Sequence, residues 1–151
     1  MSHILRVSEA ASIAFHTMVL MAADPQKLFT AHQISQMLEV SENHLSKVMQ
    51  RLAKAGLVKA ERGPSGGYRI GKDTRKVTLL HVYEAIEGPM DMSACLLSEK
   101  RSCGDKCLMG SLLVQIDGLV RDYFERTHLA DLAGLFRARI EEHAGKARER
   151  Y

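Results

Sequence analysis

Tryptophan is absent from this 151-residue chain, and other aromatic residues are scarce, with four Tyr and four Phe. The core must therefore be built from aliphatic side chains and the eight Met residues, whose flexible thioethers fill irregular gaps. No apolar run approaches the roughly 20 residues that span a bilayer, which argues against a membrane protein. Residues 1–7 lack the basic and apolar stretches of a signal peptide, so we expect a cytoplasmic protein.

Cysteine is also rare, and the three cysteines present, Cys95, Cys103 and Cys107, are clustered. An odd number of thiols in a reducing compartment argues against a disulfide framework and favours metal ligation or redox chemistry. The surrounding stretch is charged rather than apolar, so three ordinary buried cysteines are a poor explanation. Nearby Lys and Arg residues would stabilise thiolates.

Negative charge is under-represented in the first half of the chain. Residues 1–80 hold 11 Lys/Arg against 6 Asp/Glu, whereas residues 81–151 hold 10 against 12. A net charge of +5 on the front half is what attraction to nucleic-acid phosphates requires. The charge distribution supports DNA binding without establishing it.

Helical periodicity and capping residues predict three helices at the start of the chain. The first covers residues near 4–22, and the second starts at Thr30, which forms a capping-box pattern with Gln33. The third starts at Ser41 and ends at Gly56, a typical C-terminal residue. Two short helices joined by a tight turn indicate a helix-turn-helix. The predicted buried face of the third helix is Leu45, Val48, Met49, Leu52 and Ala53.

A β-hairpin is predicted directly after these helices, and in that position it would be a wing. Its strands are residues 57–61 and 68–70, joined by a turn rich in Gly and Pro. Arg62 stands at the tip, where an arginine can enter a narrow minor groove. The alternative is a flexible surface loop, which the preceding helix-turn-helix disfavours.

The outer face of the third helix carries the candidate DNA contacts. Asn43, His44 and Ser46 lie in its first turns, where a recognition helix reaches base edges. Lys47 could contact guanine or phosphate, and Arg51, with Lys54, is better placed for phosphates. The alternative is that these residues form only the solvated side of an amphipathic helix.

The second half of the chain predicts a cysteine loop between helices. A helix from Thr78 to about Glu87 is broken by Gly88 and Pro89, and after the loop a longer helix carries a wide apolar stripe suited to a partner helix. A last helix starts at Thr127, and we expect residues 141–151 to be frayed. The stripe comprises Leu112, Ile116, Leu119 and Tyr123, flanked by Leu113, Val120 and Phe124.

The predicted fold is mostly α: a winged helix-turn-helix with a small β-hairpin wing and a long C-terminal dimerisation helix. We divide the chain into a DNA-binding domain (1–88), a cysteine-containing cluster-binding loop (89–110), and a dimerisation helix with a C-terminal helix (111–151).

Three sequence strings resemble the IscR/NsrR family of bacterial repressors: SEAASIAF, HQISQMLEVSENHLSKVMQRLAKAGLVKAERGPSGGYRI and VTLLHVYEAIEGP. The resemblance continues through the cysteine loop to THLADL, and the wing string RGPSGGYRI is its most specific part. It implies a dimeric winged-helix transcription factor whose long helix pairs two subunits and whose cysteine loop holds an iron–sulfur cluster. The candidate DNA contacts are Ser41, Asn43, His44, Ser46, Lys47 and Arg51 in the helix and Arg62, Ser65 and Gly66 in the wing.

The resemblance also implies ligands for a 2Fe–2S or 4Fe–4S cluster, with Cys95, Cys103 and Cys107 as the thiolates. Some relatives add a histidine three residues after the last cysteine, but this chain has Gly110 there. Others use an N-terminal acidic residue of the partner subunit, a position that Glu9 occupies. The alternative role for Glu9 is a solvated acid that stabilises the helix N-terminus.

We therefore predict a homodimeric transcriptional regulator that binds a pseudo-palindromic double-stranded operator, and the resemblance favours repression over activation. Its iron–sulfur cluster would sense redox state, nitric oxide, oxygen or iron. The alternative is a winged-helix regulator with a thiol switch or a zinc site and no cluster. The sequence shows no motif of a catalytic triad, no phosphate loop and no paired carboxylates in a glycine-shaped cleft, so we expect no enzyme, no small-molecule substrate and no membrane partner.

Overall fold

The structure is a computed structural model that describes residues 7–90, residue 109 and residues 111–148, with side chains as far as residue 142. None of the described helices has the length and apolarity needed to cross a membrane. The elements are α1 (Glu9–Ala22), α2 (Ala31–Leu38), α3 (Glu42–Lys54), β1 (Val58–Glu61), β2 (Gly67–Ile70), α4 (Leu79–Glu87), α5 (Leu112–Arg126), α6 (Leu129–Leu132) and α7 (Arg137–Arg148).

Side-chain caps set where the first helices begin. Ser8 is extended and accepts a hydrogen bond from the Ala11 N–H, so α1 begins at Glu9 rather than near residue 4. The predicted capping box is confirmed, because the Gln33 N–H donates to Thr30 Oγ1 at 3.1 Å and the Thr30 N–H donates to Gln33 Oε1 at 3.0 Å. Such caps each stabilise a helix start by about 1 kcal/mol.

A residue of the C-terminal helix α7 contacts the turn between α2 and α3. Glu39 of this turn has a left-handed backbone (φ 57°, ψ 41°), a conformation that usually favours glycine. The Glu39 carboxylate accepts a 2.8 Å hydrogen bond from Arg139 of α7. Of the C-terminal residues 141–151, which the sequence predicts to be frayed, 141–148 continue α7 and 149–151 lie outside the described residues.

A single hydrophobic core joins elements from both sides of the cysteine segment. Four of the five residues predicted for the inner face of α3 are buried, and the fifth, Ala53, is partly buried against the same core; the four are Leu45, Val48, Met49 and Leu52. From beyond the segment, Phe124, Leu129 and Ala133 belong to the same core. The ring of Phe124 lies 5.2 Å from that of Phe15 in α1 and 5.7 Å from that of Tyr83 in α4.

The hairpin is confirmed as a two-stranded antiparallel sheet, with Val58 opposite Ile70 and Glu61 opposite Gly67. Its second strand is also fixed to the α1–α2 connection. The N–H and C=O of buried Phe29 exchange hydrogen bonds of 2.9 and 2.8 Å with those of Tyr68. The hairpin therefore projects from the core at a defined position.

The helix expected from Thr127 is divided into three pieces. Helix α6 gives way to a 3-10 turn at Ala133–Phe136, after which α7 begins. This turn contains Gly134, and glycine is disfavoured inside an α-helix by about 1 kcal/mol relative to alanine. The mostly α winged helix-turn-helix predicted from the sequence is otherwise confirmed.

Candidate nucleic-acid interface

Helix α3 separates a packing face from an exposed polar face. Its buried side chains fix its rotation, so that Asn43, Lys47, Gln50 and Lys54 form an exposed stripe along the outer side. Sequence reasoning missed Gln50, although the 43, 47, 50, 54 spacing marks one helix face. An amide group on such a face can form paired hydrogen bonds with adenine.

Most side chains of the exposed stripe make no contact with other described polar groups, in contrast to the other predicted DNA contacts on α3. Within the described ranges, the side chains of Asn43, Lys47 and Gln50 have no hydrogen-bond or ion-pair partner. They are therefore available to an external ligand. The free cation of Lys47 is suited to a phosphate or a guanine edge.

Three other predicted contacts take part in holding α3 itself. Ser41 caps the helix by accepting a 3.4 Å hydrogen bond from the His44 N–H, and the Ser46 hydroxyl donates to the Glu42 carbonyl at 2.9 Å. His44 Nδ1 lies 3.5 Å from a carboxylate oxygen of Glu9. These residues lie at the correct end of the helix for base contacts, but their first role in the free protein is structural.

Close backbone contacts define the wing turn that carries the other candidates. The Gly66 N–H donates to the Gly63 carbonyl at 2.9 Å, and a Cβ on Gly66 would lie only 2.5 Å from the Glu61 carbonyl oxygen. A Cβ on Gly67 would likewise lie 2.6 Å from the Phe29 carbonyl oxygen. Both positions therefore require glycine, because any side chain would collide with a backbone carbonyl.

The cation at the wing tip is free, whereas the one in the strand is paired. Arg69 forms a 2.6 Å ion pair with Glu61 across the hairpin. Arg62 is exposed, as is Ser65, and Arg62 has no ion-pair partner in the part of the chain that the structure describes. Of the two hairpin arginines, Arg62 is therefore the one left without an ion-pair partner among the described residues.

Arg51 points to a different place from the rest of the predicted interface. Its guanidinium Nη1 donates to the backbone carbonyl of Ile86, near the end of α4, at 3.1 Å. This contact orients Arg51 toward the start of the cysteine segment. Among the described side chains predicted to contact phosphate, Arg51 is the one that forms a hydrogen bond with a backbone carbonyl of the protein itself.

The predicted thiolate ligands, Cys95, Cys103 and Cys107, lie outside the described residues. Glu9 is described, and 79% of its side chain is exposed. Its carboxylate is therefore accessible to a group on another subunit, with His44 as its neighbour. Among the described residues, no group of three or more His, Cys, Asp or Glu side chains could hold a metal ion.

Helix α5 carries an apolar face that the described residues leave exposed. Leu112 is 44% exposed, Leu119 is 76% exposed and Tyr123 is 58% exposed. Phe124 is the one α5 side chain that is buried. A contiguous apolar face of this kind is typical of a protein–protein interface.

Curated sequence relatives are bacterial transcriptional regulators. The chain is 32% identical over 99 residues to the HTH-type transcriptional regulator IscR of Serratia proteamaculans, covering 66% of this chain and 60% of the relative. It is 31% identical over the same length to IscR of Pectobacterium atrosepticum. The matched segment spans only 60% of the length of these curated relatives.

Solved structures share the fold. CymR, the global cysteine regulator of B. subtilis, superimposes with a TM-score of 0.72 at 26% identity, covering 87% of this chain and 98% of CymR. IscR of T. potens gives a TM-score of 0.67 at 23% identity, over 85% of this chain and 86% of that protein, a likeness of fold. A family model described as "Iron-dependent Transcriptional regulator" matches residues 7–134. Since that match spans most of the sequence, the chain belongs to the Rrf2 family of transcriptional regulators.

Proposed function

We propose that this protein is a cytoplasmic, homodimeric transcriptional regulator that binds an operator through α3 and the wing, and whose affinity depends on the state of its three-cysteine segment. The observation that carries the proposal is the polar stripe on α3, free of partners among the described residues, beside a wing with an uncommitted Arg62. A major groove admits an α-helix, and an arginine at a wing tip fits a narrow minor groove.

Each candidate contact has a chemical role in this arrangement. Asn43 and Gln50 carry amides that can read base edges, and Lys47 supplies a cation for guanine or phosphate. Ser41, His44 and Ser46 lie at the α3 N-terminus, where a recognition helix enters the groove. In the wing, Arg62 enters the minor groove, while Ser65 and the Gly66 backbone approach a phosphate.

Dimerisation would bury the exposed apolar face of α5. Burial of Leu119 and Tyr123 against a second copy removes apolar surface from water, at about 25 cal/mol per Å². A two-fold dimer places two α3 helices on successive major grooves, about 34 Å or one helical turn apart. The operator should therefore be a pseudo-palindrome, and the resemblance to IscR/NsrR repressors favours repression.

The cysteine segment is the proposed sensor, with an iron–sulfur cluster as the first candidate. Cys95, Cys103 and Cys107 would hold it, together with the partner subunit's Glu9, whose accessible carboxylate is compatible with that role. The cluster would supply an inorganic centre that responds to redox state, nitric oxide, oxygen or iron. The family description as iron-dependent and the similarity to IscR proteins support this choice.

A thiol switch, or a zinc site without iron, is the second candidate. Its support is the similarity to CymR, a cysteine regulator in B. subtilis, whose Staphylococcus aureus counterpart is known in an oxidized form. In that case, oxidation or modification of the same three thiols would change operator affinity without an inorganic cluster.

Selection of a binding site from a randomised duplex pool tests the DNA-binding proposal. The full chain should enrich a pseudo-palindromic duplex and bind it with an affinity that falls steeply with salt. Failure to enrich any duplex would contradict regulation through DNA. Iron and sulfide analysis after anaerobic purification then separates the two sensors, since a colourless protein without sulfide leaves only the thiol or zinc site.

Single cysteine variants identify the sensor ligands. We expect Cys103→Ala and Cys107→Ala to lose the visible absorbance of a cluster while keeping the far-ultraviolet spectrum of the folded chain. A variant that keeps full cluster absorbance removes that residue from the ligand set. Operator affinity that is identical with and without the cluster would leave a constitutive DNA-binding protein.

A further inference from the structure

Two arginines from different helices hold the backbone at the start of the cysteine segment. Arg51 of α3 donates to the Ile86 carbonyl at 3.1 Å, and Arg121 of α5 donates to the Met90 carbonyl at 3.2 Å. Ile86 lies in the last turn of α4, and Met90 is the last described residue before the segment that contains the cysteines. Both hydrogen bonds are partly shielded from solvent.

The Ile86 carbonyl is an acceptor that the helix itself cannot satisfy. The last four carbonyls of an α-helix have no donor within it, and the negative end of the helix dipole attracts cations there. The Gly88 N–H satisfies only the Glu84 carbonyl, at 3.0 Å. A guanidinium supplied by α3 therefore completes the end of α4, and the position of α3 becomes tied to the direction in which the chain leaves α4.

Two further features converge on the same exit. The Ser8 hydroxyl, which caps α1, also donates to the Glu87 carboxylate. Gly88 has a left-handed φ of 85°, and a Cβ placed on it would meet no atom within 4 Å. The chain thus turns at a glycine between two carbonyls that are each held by an arginine.

We propose that Arg51 is a positioning residue that couples α3 to the cysteine segment, with Arg121 as the second arm, and that Arg51 is not a phosphate contact. This inference rests on the proposed function and specifies its regulation. A change at the thiols that shifts the chain at Met90 or Ile86 alters the Arg51 contact and thereby the tilt of α3. By linkage, an operator bound to α3 must alter the thiol segment to the same thermodynamic extent.

The chain provides its own probe for this coupling, because all three of its cysteines lie in that segment. The experiment measures the alkylation rate of the reduced, metal-free full chain by a maleimide, with and without a saturating duplex selected from the randomised pool. In the wild-type protein we expect the duplex to change the alkylation rate about fivefold or more, a factor at the lower end of the range of allosteric couplings. An unchanged wild-type rate overturns the coupling.

Arg51→Met is the decisive variant, and Lys47→Met is its matched control. Arg51→Met should bind the duplex with an unchanged salt slope while its thiol rate no longer responds to the duplex. Lys47→Met should lose about one unit of salt slope, as expected for a phosphate contact, and keep the thiol response. Arg51→Lys retains a cationic donor for the Ile86 carbonyl and should restore part of the response.

Arg121→Met provides a second test through a different helix, should Arg51→Met fail to fold by circular dichroism. It should also suppress the thiol response, because Met90 is then released. A retained thiol response in a folded Arg51→Met or Arg121→Met, or a reduced salt slope in Arg51→Met, overturns the proposal. Failure of the wild-type chain to enrich any duplex overturns the proposed function itself, which is a distinguishable result.

Discussion

Helices α3 and α5 are alike in length, with 13 and 15 residues, but they complete their packing differently. Helix α3 buries four side chains in the core and exposes a polar stripe. Helix α5 buries only Phe124 and leaves Leu119 and Tyr123 more than half exposed. Among the described residues, the inner face of α3 is therefore fully packed, whereas the apolar face of α5 stays exposed.

The two helices therefore contribute to different free energies, α3 to that of folding and α5 to that of dimerisation. The inner face of α3 contributes to folding, so its outer face can be chosen for charge and hydrogen bonding to a polyanion. The apolar face of α5 contributes little to folding of one chain, and its burial by a second chain would stabilise the dimer. Substitutions on the two helices should accordingly affect different measurements.

Removing a buried side chain from α3 should have the largest effect. Leu45 is fully buried, so Leu45→Ala should lower the free energy of unfolding by about 2–5 kcal/mol through lost burial and an unfilled cavity. Urea denaturation measures the change. The control Gln50→Ala, on the exposed face of the same helix, should change stability by less than about 0.5 kcal/mol. Equal losses of stability in Leu45→Ala and Gln50→Ala would contradict the division of α3 into a packing face and an exposed face.

A charge on the apolar face of α5 should have the next largest effect. Leu119→Glu should raise the dimer dissociation constant at least about 100-fold, or roughly 2.7 kcal/mol, because a carboxylate would have to be buried at the interface. Sedimentation equilibrium measures the constant, and Glu125→Ala on the same helix is the control. If Leu119→Glu remains fully dimeric at the wild-type concentration, another surface pairs the subunits.

The exposed face of α3 is tested by Lys47→Ala. Loss of one phosphate or base contact should weaken duplex binding by about 1–3 kcal/mol, with stability unchanged. Fluorescence anisotropy at several salt concentrations measures both the affinity and the salt slope. Lys76→Ala removes the same charge outside α3 and should leave the slope unaltered. An equal loss in both variants would indicate a general charge effect in place of a defined contact.

The smallest effect concerns an ion pair that belongs to neither helix. A hydrogen bond from the Arg75 guanidinium lowers the pKa of Asp73 to about 2 from its ordinary value of 3.8. Because the folded-state pKa is the lower one, this pair stabilises the fold above pH 3.8, and the contribution is lost as the pH falls toward about 2. NMR titration of the Asp73 carboxyl should show a higher midpoint in Arg75→Ala. A midpoint that shifts with duplex binding would place this loop in the interface.

Local signals in the sequence predicted most of the fold. Thr30 with Gln33, Ser41 and Thr78 were each recognisable as helix caps, because a side-chain oxygen beside a helix start has few other structural uses. Gly56 ends α3 with a positive φ of 70°, as expected. The start of α1 was misplaced because the apolar periodicity extends to Val7, whereas Ser8 supplies the cap.

Long-range contacts could not be predicted in the same way. The contact of Arg51 with Ile86 joins residues 35 positions apart, and that of Arg139 with Glu39 joins residues 100 positions apart. An arginine on a polar helix face has the same sequence pattern whether it meets a phosphate or a carbonyl. The thiolate ligands, the partner's Glu9 and the division into three functional segments stay predictions.

The shared core bears on the spacing between the two half-sites that a dimer would bind. Phe124 of α5 packs against Phe15 of α1, and α1 in turn packs against α3, so the described parts of α5 and α3 are connected through one core. Apart from the tilt of α3 proposed above, each subunit would move on DNA as one unit. The crossing angle of the two α5 helices would then fix the distance between half-sites. Binding affinity measured on a series of duplexes with base pairs inserted between the half-sites would report that angle.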